Sequence, residues 1–229
     1  MSWDARGSSG WKRAHGRRTD PDKAAHLAAY YDAEVSERES RGLPEQREHF
    51  RDLFLEATSA SGTRSVLELG CGPGLDASAL AAAGLDYTGV DLSFEAVATC
   101  GRRGFRACVA DVTSLPFPTG AFDAVWTMST LLHLNHEELG AALSEIRRVV
   151  RPGGIAAIGL WGADATREEY LQVDGWPARY FHLLSDDDLR ETLAHVGRLE
   201  RWETWTPDSS PLHYQWALLE RTSRAADQP

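Results

Sequence analysis

From Ser65 to Trp161 the chain alternates short apolar runs with helical segments in units of about 20–30 residues, and this alternation constrains the fold more than any other feature. The strand-like runs are SVLEL (65–69), YTGVD (87–91), FRACVAD (105–111), FDAVWTMS (122–129) and GIAAIGLW (154–161). Between them LDASALAAAG (75–84), closed by Gly84, and SFEAVATCGRRG (93–104) read as helices. Asn135 with Glu138 three residues on forms a capping box, and Leu139, Leu143, Ile146 and Val150 follow as a helical stripe. Parallel neighbours need crossover helices, so the pattern specifies an α/β fold with a doubly wound parallel sheet. RLERWETWT (198–206) and LHYQWALLE (212–220), joined through Pro207 to Pro211, suit an antiparallel final pair.

The flanks are organised differently. Asp20-Pro21 can cap and start a helix over 21–35, with Leu27, Tyr30, Tyr31 and Val35 on one face. A second helix covers about 44–59, with Phe50, Leu53, Phe54 and Ala57 as its stripe, and Gly62 ends it. Residues 21–60 thus form an N-terminal helical cap ahead of a domain spanning 61–220. Residues 162–184 read as an irregular insertion after the fifth strand, containing Trp176-Pro177 and the cluster Arg179-Tyr180-Phe181-His182. Ser185 with Asp188 is a second capping box, opening a helix to about 196, and 221–229 is a tail.

At 229 residues, 42% hydrophobic and 25% charged, the composition suits one globular domain with a sizeable core. No run of 18 apolar residues is present, so no segment is expected to span a membrane, and the N-terminus lacks the apolar stretch of a secretory signal. Cys71, Cys100 and Cys108 have neither zinc spacing nor the density of a disulfide framework, which points to no metal and to a reducing cytoplasm. Residues 1–20 carry five basic and two acidic side chains and no apolar period, the composition of a disordered basic leader. The remainder holds 19 basic against 32 acidic residues. So acidic a body repels phosphate backbones and argues against nucleic acid as the main partner.

The chemistry is concentrated in ELGCGPG, Glu68 to Gly74, directly after a strand and before a helix. Glycines there allow positive φ and let a ligand meet the backbone, while the following helix presents free N–H groups. A dinucleotide site would follow GxGxxG, but the third glycine falls at 74 and Leu75 stands in its place. Instead Glu68 precedes the first glycine by two. Asp91 ends the next strand, where a carboxylate can accept both ribose hydroxyls, and Asp111 ends the one after, where it can accept from an adenine amino group.

Together VLELGCGPG, GVDLS, VADVTSLPFPTGAFDAVWTMSTLLHL and IRRVVRPGG resemble the class I S-adenosylmethionine (SAM)-dependent methyltransferases of the small UbiE-like type, over about 65–220. That resemblance implies a Rossmann-like sheet of seven strands, the last antiparallel, with SAM as cofactor across the carboxyl ends of the strands. By position it implies Gly70 and Gly72 at the methionine part of SAM, with Glu68 nearby. Asp91 would take the ribose and Leu92 flank the adenine. Asp111 and Val112 would hold the adenine edge. Thr127, Met128 and Ser129 would line the sulfonium. Tyr30 and Tyr31 resemble an aromatic pair that closes over SAM in relatives, which implies Tyr31 as a cofactor contact and Tyr30 on the acceptor side.

Methyl transfer from a sulfonium is an in-line displacement helped mainly by alignment, with a base needed only where the acceptor must lose a proton. His133, just past the fourth strand, is the candidate catalytic residue, with base, ligand contact and structural packing all open to it. Trp161, Tyr180 and Tyr30 can wall an acceptor pocket, and Arg179 can bind an anionic group. The function expected is methyl transfer to oxygen or nitrogen of a small molecule. Two alternatives stand beside it: an RNA-modifying methyltransferase using the basic leader, and a SAM-binding partner subunit without transfer activity. Oligomeric state is left open by the sequence.

Overall fold

The computed structural model describes residues 11–13, 23–173, 177–208 and 210–222. Three residues, Trp11–Arg13, form β1. Two helices follow, α1 (Lys23–Arg41) and α2 (Glu45–Ser61), the second ended by Gly62 in the left-handed region at φ 65°. The expected alternation then unfolds as β2 (Ser65–Leu69), α3 (Ala77–Ala82), β3 (Asp86–Asp91), α4 (Phe94–Arg102), β4 (Arg106–Val109) and β5 (Phe122–Met128). It continues with α5 (His136–Val149), β6 (Val150–Gly162), β7 (Arg167–Val173), β8 (Arg179–Leu183), α6 (Asp186–Leu193), β9 (Arg198–Trp205) and β10 (His213–Glu220).

The main sheet has seven strands in the order β4-β3-β2-β5-β6-β10-β9. β10 runs antiparallel to both of its neighbours, and the other six share one direction. The fold is therefore the expected doubly wound α/β sheet with its last strand antiparallel. The central strands are buried on both faces: Val66, Leu67 and Leu69 of β2 and Ala124, Val125 and Trp126 of β5 have no exposure. The order reverses between β2 and β5, which places a crevice beyond their carboxyl ends. The capping box at Asn135 is present in full, with the Asn135 side chain taking the Glu138 N–H and the Glu138 carboxylate taking the Asn135 N–H.

Several expectations are corrected. Residues 162–184 are not irregular: β7 and β8 pair as an antiparallel hairpin, Arg167 opposite Leu183 and Leu171 opposite Arg179. All five residues of β8 are buried, so its two faces show no polar alternation to read. β1 adds to this hairpin, Trp11 opposite Val173 and Arg13 opposite Leu171, so these three residues of the expected disordered leader are an ordered edge strand. The rest of that leader, Pro21 as a helix start, Trp176 and most of the tail lie outside the described residues. α1 runs six residues past its expected end at 35, because Arg38 and Arg41 pair with Glu34 and Glu37 one turn back and extend the helix over a polar stretch. At Ser185 only half of the second box forms: its hydroxyl accepts the Asp188 N–H, while the Asp188 carboxylate bonds Thr166 instead.

A buried carboxylate fastens α2 to the sheet. Asp76, just ahead of α3 and fully buried, takes Arg47 Nε at 2.7 Å, Arg51 Nη1 at 3.2 Å and the indole N–H of Trp126 at 3.1 Å. Both arginines come from α2, and Trp126 from the centre of β5. Removing the carboxylate leaves two cations and an indole without their acceptor. Asp76→Ala should therefore destabilise the protein by about 3–5 kcal/mol, read as a shifted midpoint in urea unfolding. A shift below about 1 kcal/mol would show that Asp76 does not hold the helix.

Candidate active site

The chain leaves β2 at Leu69 and turns tightly. Gly70 N and Cys71 N both donate to the Val90 carbonyl, at 2.8 and 3.0 Å, pinning the turn to the end of β3. Gly70 sits at φ 73°, and a Cβ there would lie 2.0 Å from Thr130 Oγ1, so only glycine fits. Asp91, at the tip of β3, binds both sides of the crevice: Oδ2 accepts from Gly72 N–H at 2.8 Å and Oδ1 from Ser93 N–H at 2.9 Å. Burial raises its pKa, and the two N–H groups oppose that rise. Ser93 caps α4 and donates to Asp32 of α1 at 2.5 Å, so the same junction anchors the first helix. Asp111 is exposed, its Oδ1 held by the Thr113 N–H at 2.8 Å and hydroxyl at 2.7 Å.

A cavity of about 230 Å³ opens over these strand ends. Its walls include eleven of the candidate site residues read in the sequence: Tyr31, Gly70, Gly72, Asp91, Leu92, Asp111, Val112, Met128, Ser129, His133 and Trp161. Five others lie behind the wall. Glu68 is buried beneath the turn, accepting from Tyr87 Oη at 2.6 Å with Arg47 Nη2 at 3.7 Å. Burial and the nearby Asp76 charge push its carboxyl well above the usual range, against the pull of Arg47. Thr127 is buried, and its hydroxyl has no hydrogen-bond partner among the described residues. Tyr30, Arg179 and Tyr180 back the cavity rather than line it.

His133 ends a short 3-10 turn, Leu131–His133. Its Nδ1 lies 2.8 Å from the Tyr180 carbonyl, which can only accept, so Nδ1 carries the proton. Nε2 is then the acceptor for the Tyr31 hydroxyl at 2.6 Å. That hydroxyl in turn accepts from Arg179 Nη1 at 2.9 Å. Arg179 is buried against aromatic faces, 4.2 Å from the Tyr30 ring centroid and 5.3 Å from that of Phe181. Burial, helped by the Arg179 charge, pushes the His133 pKa down to about 3. The imidazole is therefore neutral near pH 7, with its free lone pair turned to Tyr31.

The opposite wall was not legible in advance. Phe50, Trp205 and Tyr214 line it beside Trp161, and Lys23, Arg38, Arg41 and Arg47 approach from α1 and α2. Each of these cations is paired: Lys23 with Glu138, Arg38 with Glu34, Arg41 with Glu37 and Arg47 with Asp76. Nothing in the local sequence marks these residues, because β10 pairing places Tyr214 opposite both Trp161 and Trp205.

The family described as "Methyltransferase domain" matches residues 67–158, the stretch that supplies the turn, Asp91, Asp111 and the end of β5. Over residues 67–158 the chain is thus similar to methyltransferase domains. A Streptomyces fradiae protein, described as an uncharacterized 37.1 kDa protein in transposon TN4556, is 33% identical over 204 residues, 85% of this chain and 58% of its own length. The malonyl-[acyl-carrier protein] O-methyltransferase of Pseudescherichia vulneris is 30% identical over 147 residues, 62% of this chain and 58% of its own length. The chain thus spans about three-fifths of the length of these curated relatives. Among solved structures, the 1,6-didemethyltoxoflavin-N1-methyltransferase of Burkholderia thailandensis superposes with a TM-score of 0.72 at 20% identity, covering 97% of this chain and 99% of that one. That likeness shows the methyltransferase fold extending beyond the matched domain to α1, α2 and β10.

The state of His133 makes stability depend on pH. In the unfolded chain this imidazole takes a proton near pH ~6.5, and in the folded chain only near 3. Between those values the unfolded state binds the extra proton, so stability is complete above pH ~6.5 and falls on acidification towards 3. His133→Asn should flatten this part of the profile in thermal melts taken from pH 7 to 4. An unchanged slope would place the titration elsewhere.

Proposed function

We propose that this protein binds SAM across the carboxyl ends of β2, β3 and β4 and transfers its methyl group to oxygen or nitrogen of a small-molecule acceptor. The observation that carries the reading is the single cavity wall on which Gly70, Gly72, Asp91, Asp111 and Met128 meet. The residues fit the cofactor chemically. Gly72 has no heavy atom within 4 Å of where a Cβ would stand, so ligand can approach its backbone. Asp91 offers carboxylate to a ribose diol, and Leu92 and Val112 offer apolar faces to an adenine. Tyr31 would close the cavity from α1. Bound SAM would supply an electrophilic methyl group on a sulfonium, which the acceptor oxygen or nitrogen would take as the C–S pair stays on sulfur, its own proton being released to solvent.

The chain's own contribution is alignment and exclusion of water. The α1–α2 segment serves as the cap over the cavity, and Asp32 and Asp76 hold it in place. Thr127 and Met128 support the cavity floor at the end of β5. Neutral His133 fixes the orientation of the Tyr31 hydroxyl, with Arg179, Tyr30 and Tyr180 packed behind that pair. In this arrangement His133 acts as a positioning residue for Tyr31. Trp161 faces the acceptor from the end of β6. An RNA substrate is disfavoured, since the cations around the mouth already hold carboxylates. A subunit that binds SAM without transferring from it would form no S-adenosylhomocysteine with any acceptor. No helix among the described residues is long and apolar enough to cross a membrane, in keeping with a cytoplasmic setting.

Asp91→Ala removes an acceptor for Gly72 and Ser93 as well as the proposed ribose ligand. It should weaken S-adenosylhomocysteine binding by about 1–3 kcal/mol, or roughly 5- to 150-fold, in calorimetry on folded protein. Undiminished affinity would rule out the ribose role.

A further inference from the structure

The far wall of the cavity carries an arrangement that cofactor binding does not use. Trp161 ends β6, Tyr214 begins β10 and Trp205 ends β9. The register sets Tyr214 opposite Trp161 on one side and opposite Trp205 on the other. Directly paired residues of adjacent strands point to the same face. The three rings therefore form a cross-strand ladder, and all three line the cavity. Trp161 meets Tyr214 edge to face at 5.2 Å and Trp205 at 6.1 Å with a 52° tilt. Phe50 of α2 extends the wall, stacked 5.8 Å from Tyr214 at 21°. Trp161, Tyr214 and Phe50 are buried, while Trp205 at the outer end is half-exposed.

The ladder ends in a pair of hydroxyls. Tyr214 Oη lies 3.2 Å from Ser129 Oγ and 3.5 Å from Met128 Sδ, at the tip of β5. Ser129 is the one described non-glycine residue at positive φ, 59°, and its N–H is fixed to the Gly159 carbonyl at 2.7 Å. Such a backbone is costly and is held where the surroundings over-determine it. Gly159 is constrained too: a Cβ there would stand 2.4 Å from Met128 Sδ and 2.7 Å from Tyr214 Oη. The fold thus gives up a side chain at 159 and accepts a strained serine at 129 to bring two hydroxyls together beside an aromatic wall. Burial pushes the Tyr214 pKa up to about 12, so its hydroxyl remains a donor at neutral pH.

Taking the methyl-transfer reading as its basis, we propose that the acceptor is a planar aromatic molecule bearing a ring hydroxyl or amine. Its ring lies along Phe50, Tyr214, Trp161 and Trp205, and its heteroatom meets the Ser129–Tyr214 hydroxyl pair. Rigid rings at fixed tilts present faces and edges to another ring, and such pairs add attraction beyond the area they bury. A flexible acyl chain would gain only the burial.

The test separates this from its parent. Calorimetry with S-adenosylhomocysteine comes first, and absence of binding refutes the methyltransferase reading and the acceptor class with it. On protein saturated with S-adenosylhomocysteine, 7-hydroxycoumarin and 8-hydroxyquinoline are then titrated against octanoate, following tryptophan-sensitised emission of the coumarin and tryptophan quenching by the quinoline. Both aromatics should bind, and octanoate should displace them only weakly. Trp205→Ala should weaken the aromatics by about three- to tenfold, and Trp205→Phe should restore most of that loss. S-adenosylhomocysteine affinity should stay unchanged in both variants. Failure of both aromatics to bind, equal or tighter binding of octanoate, or wild-type affinity in Trp205→Ala would each overturn the proposal.

Discussion

The placement of α2 over the sheet depends on one buried carboxylate. Asp76 stands at the head of α3 without exposure and takes three donors, two from α2 and one from the middle of β5. A charge so deep is tolerated only when paired and fully hydrogen-bonded. Here the pairing has a geometric consequence. It fixes α2 over the turn after β2, which sets Phe50 against Tyr214 and Trp216. Arg47, held by Asp76, also reaches Glu68 beneath that turn. One ion cluster therefore joins the helical cap, the glycine turn and the sheet.

A second junction does the same work for α1. Asp32 takes the Ser93 hydroxyl and the Glu95 N–H, so the first helix docks on the N-terminus of α4. The Tyr31 hydroxyl meets His133 from that position. Asp91, beside Ser93, ties the β3 end to the glycine turn. The cavity is bounded by polar contacts of this kind on the side of the glycine turn and by aromatic rings on the other. That asymmetry separates where charge and ribose-like groups can be held from where a flat apolar body can lie.

The strands from SVLEL to GIAAIGLW were readable because a parallel strand buried on both faces is a short apolar run between turn residues, and the helices between them carry caps. The glycine turn with Asp91 and Asp111 was readable because those positions depend on strand ends alone. The hairpin of β7 and β8 was not, since β8 buries Arg179, Tyr180 and His182 along with Phe181 and Leu183 and so loses the alternation that marks a strand. For the same reason Arg179 and Tyr180, expected at the mouth, stand behind Tyr31 and His133. The aromatic wall leaves no local mark in the sequence because it is made by register: Trp161, Tyr214 and Trp205 are far apart in the chain and adjacent only through β10.

The central claim is that one cavity, between the strand ends and α1–α2, holds the cofactor. Amide hydrogen exchange with and without S-adenosylhomocysteine tests it most directly. The account predicts slower exchange confined to the turn at 70–75, to 91–93, to 111–113 and to α1 around Tyr31, with β7 and β8 unaffected. Protection absent from the turn and from 91–93, or concentrated on the β7–β8 hairpin, would contradict it.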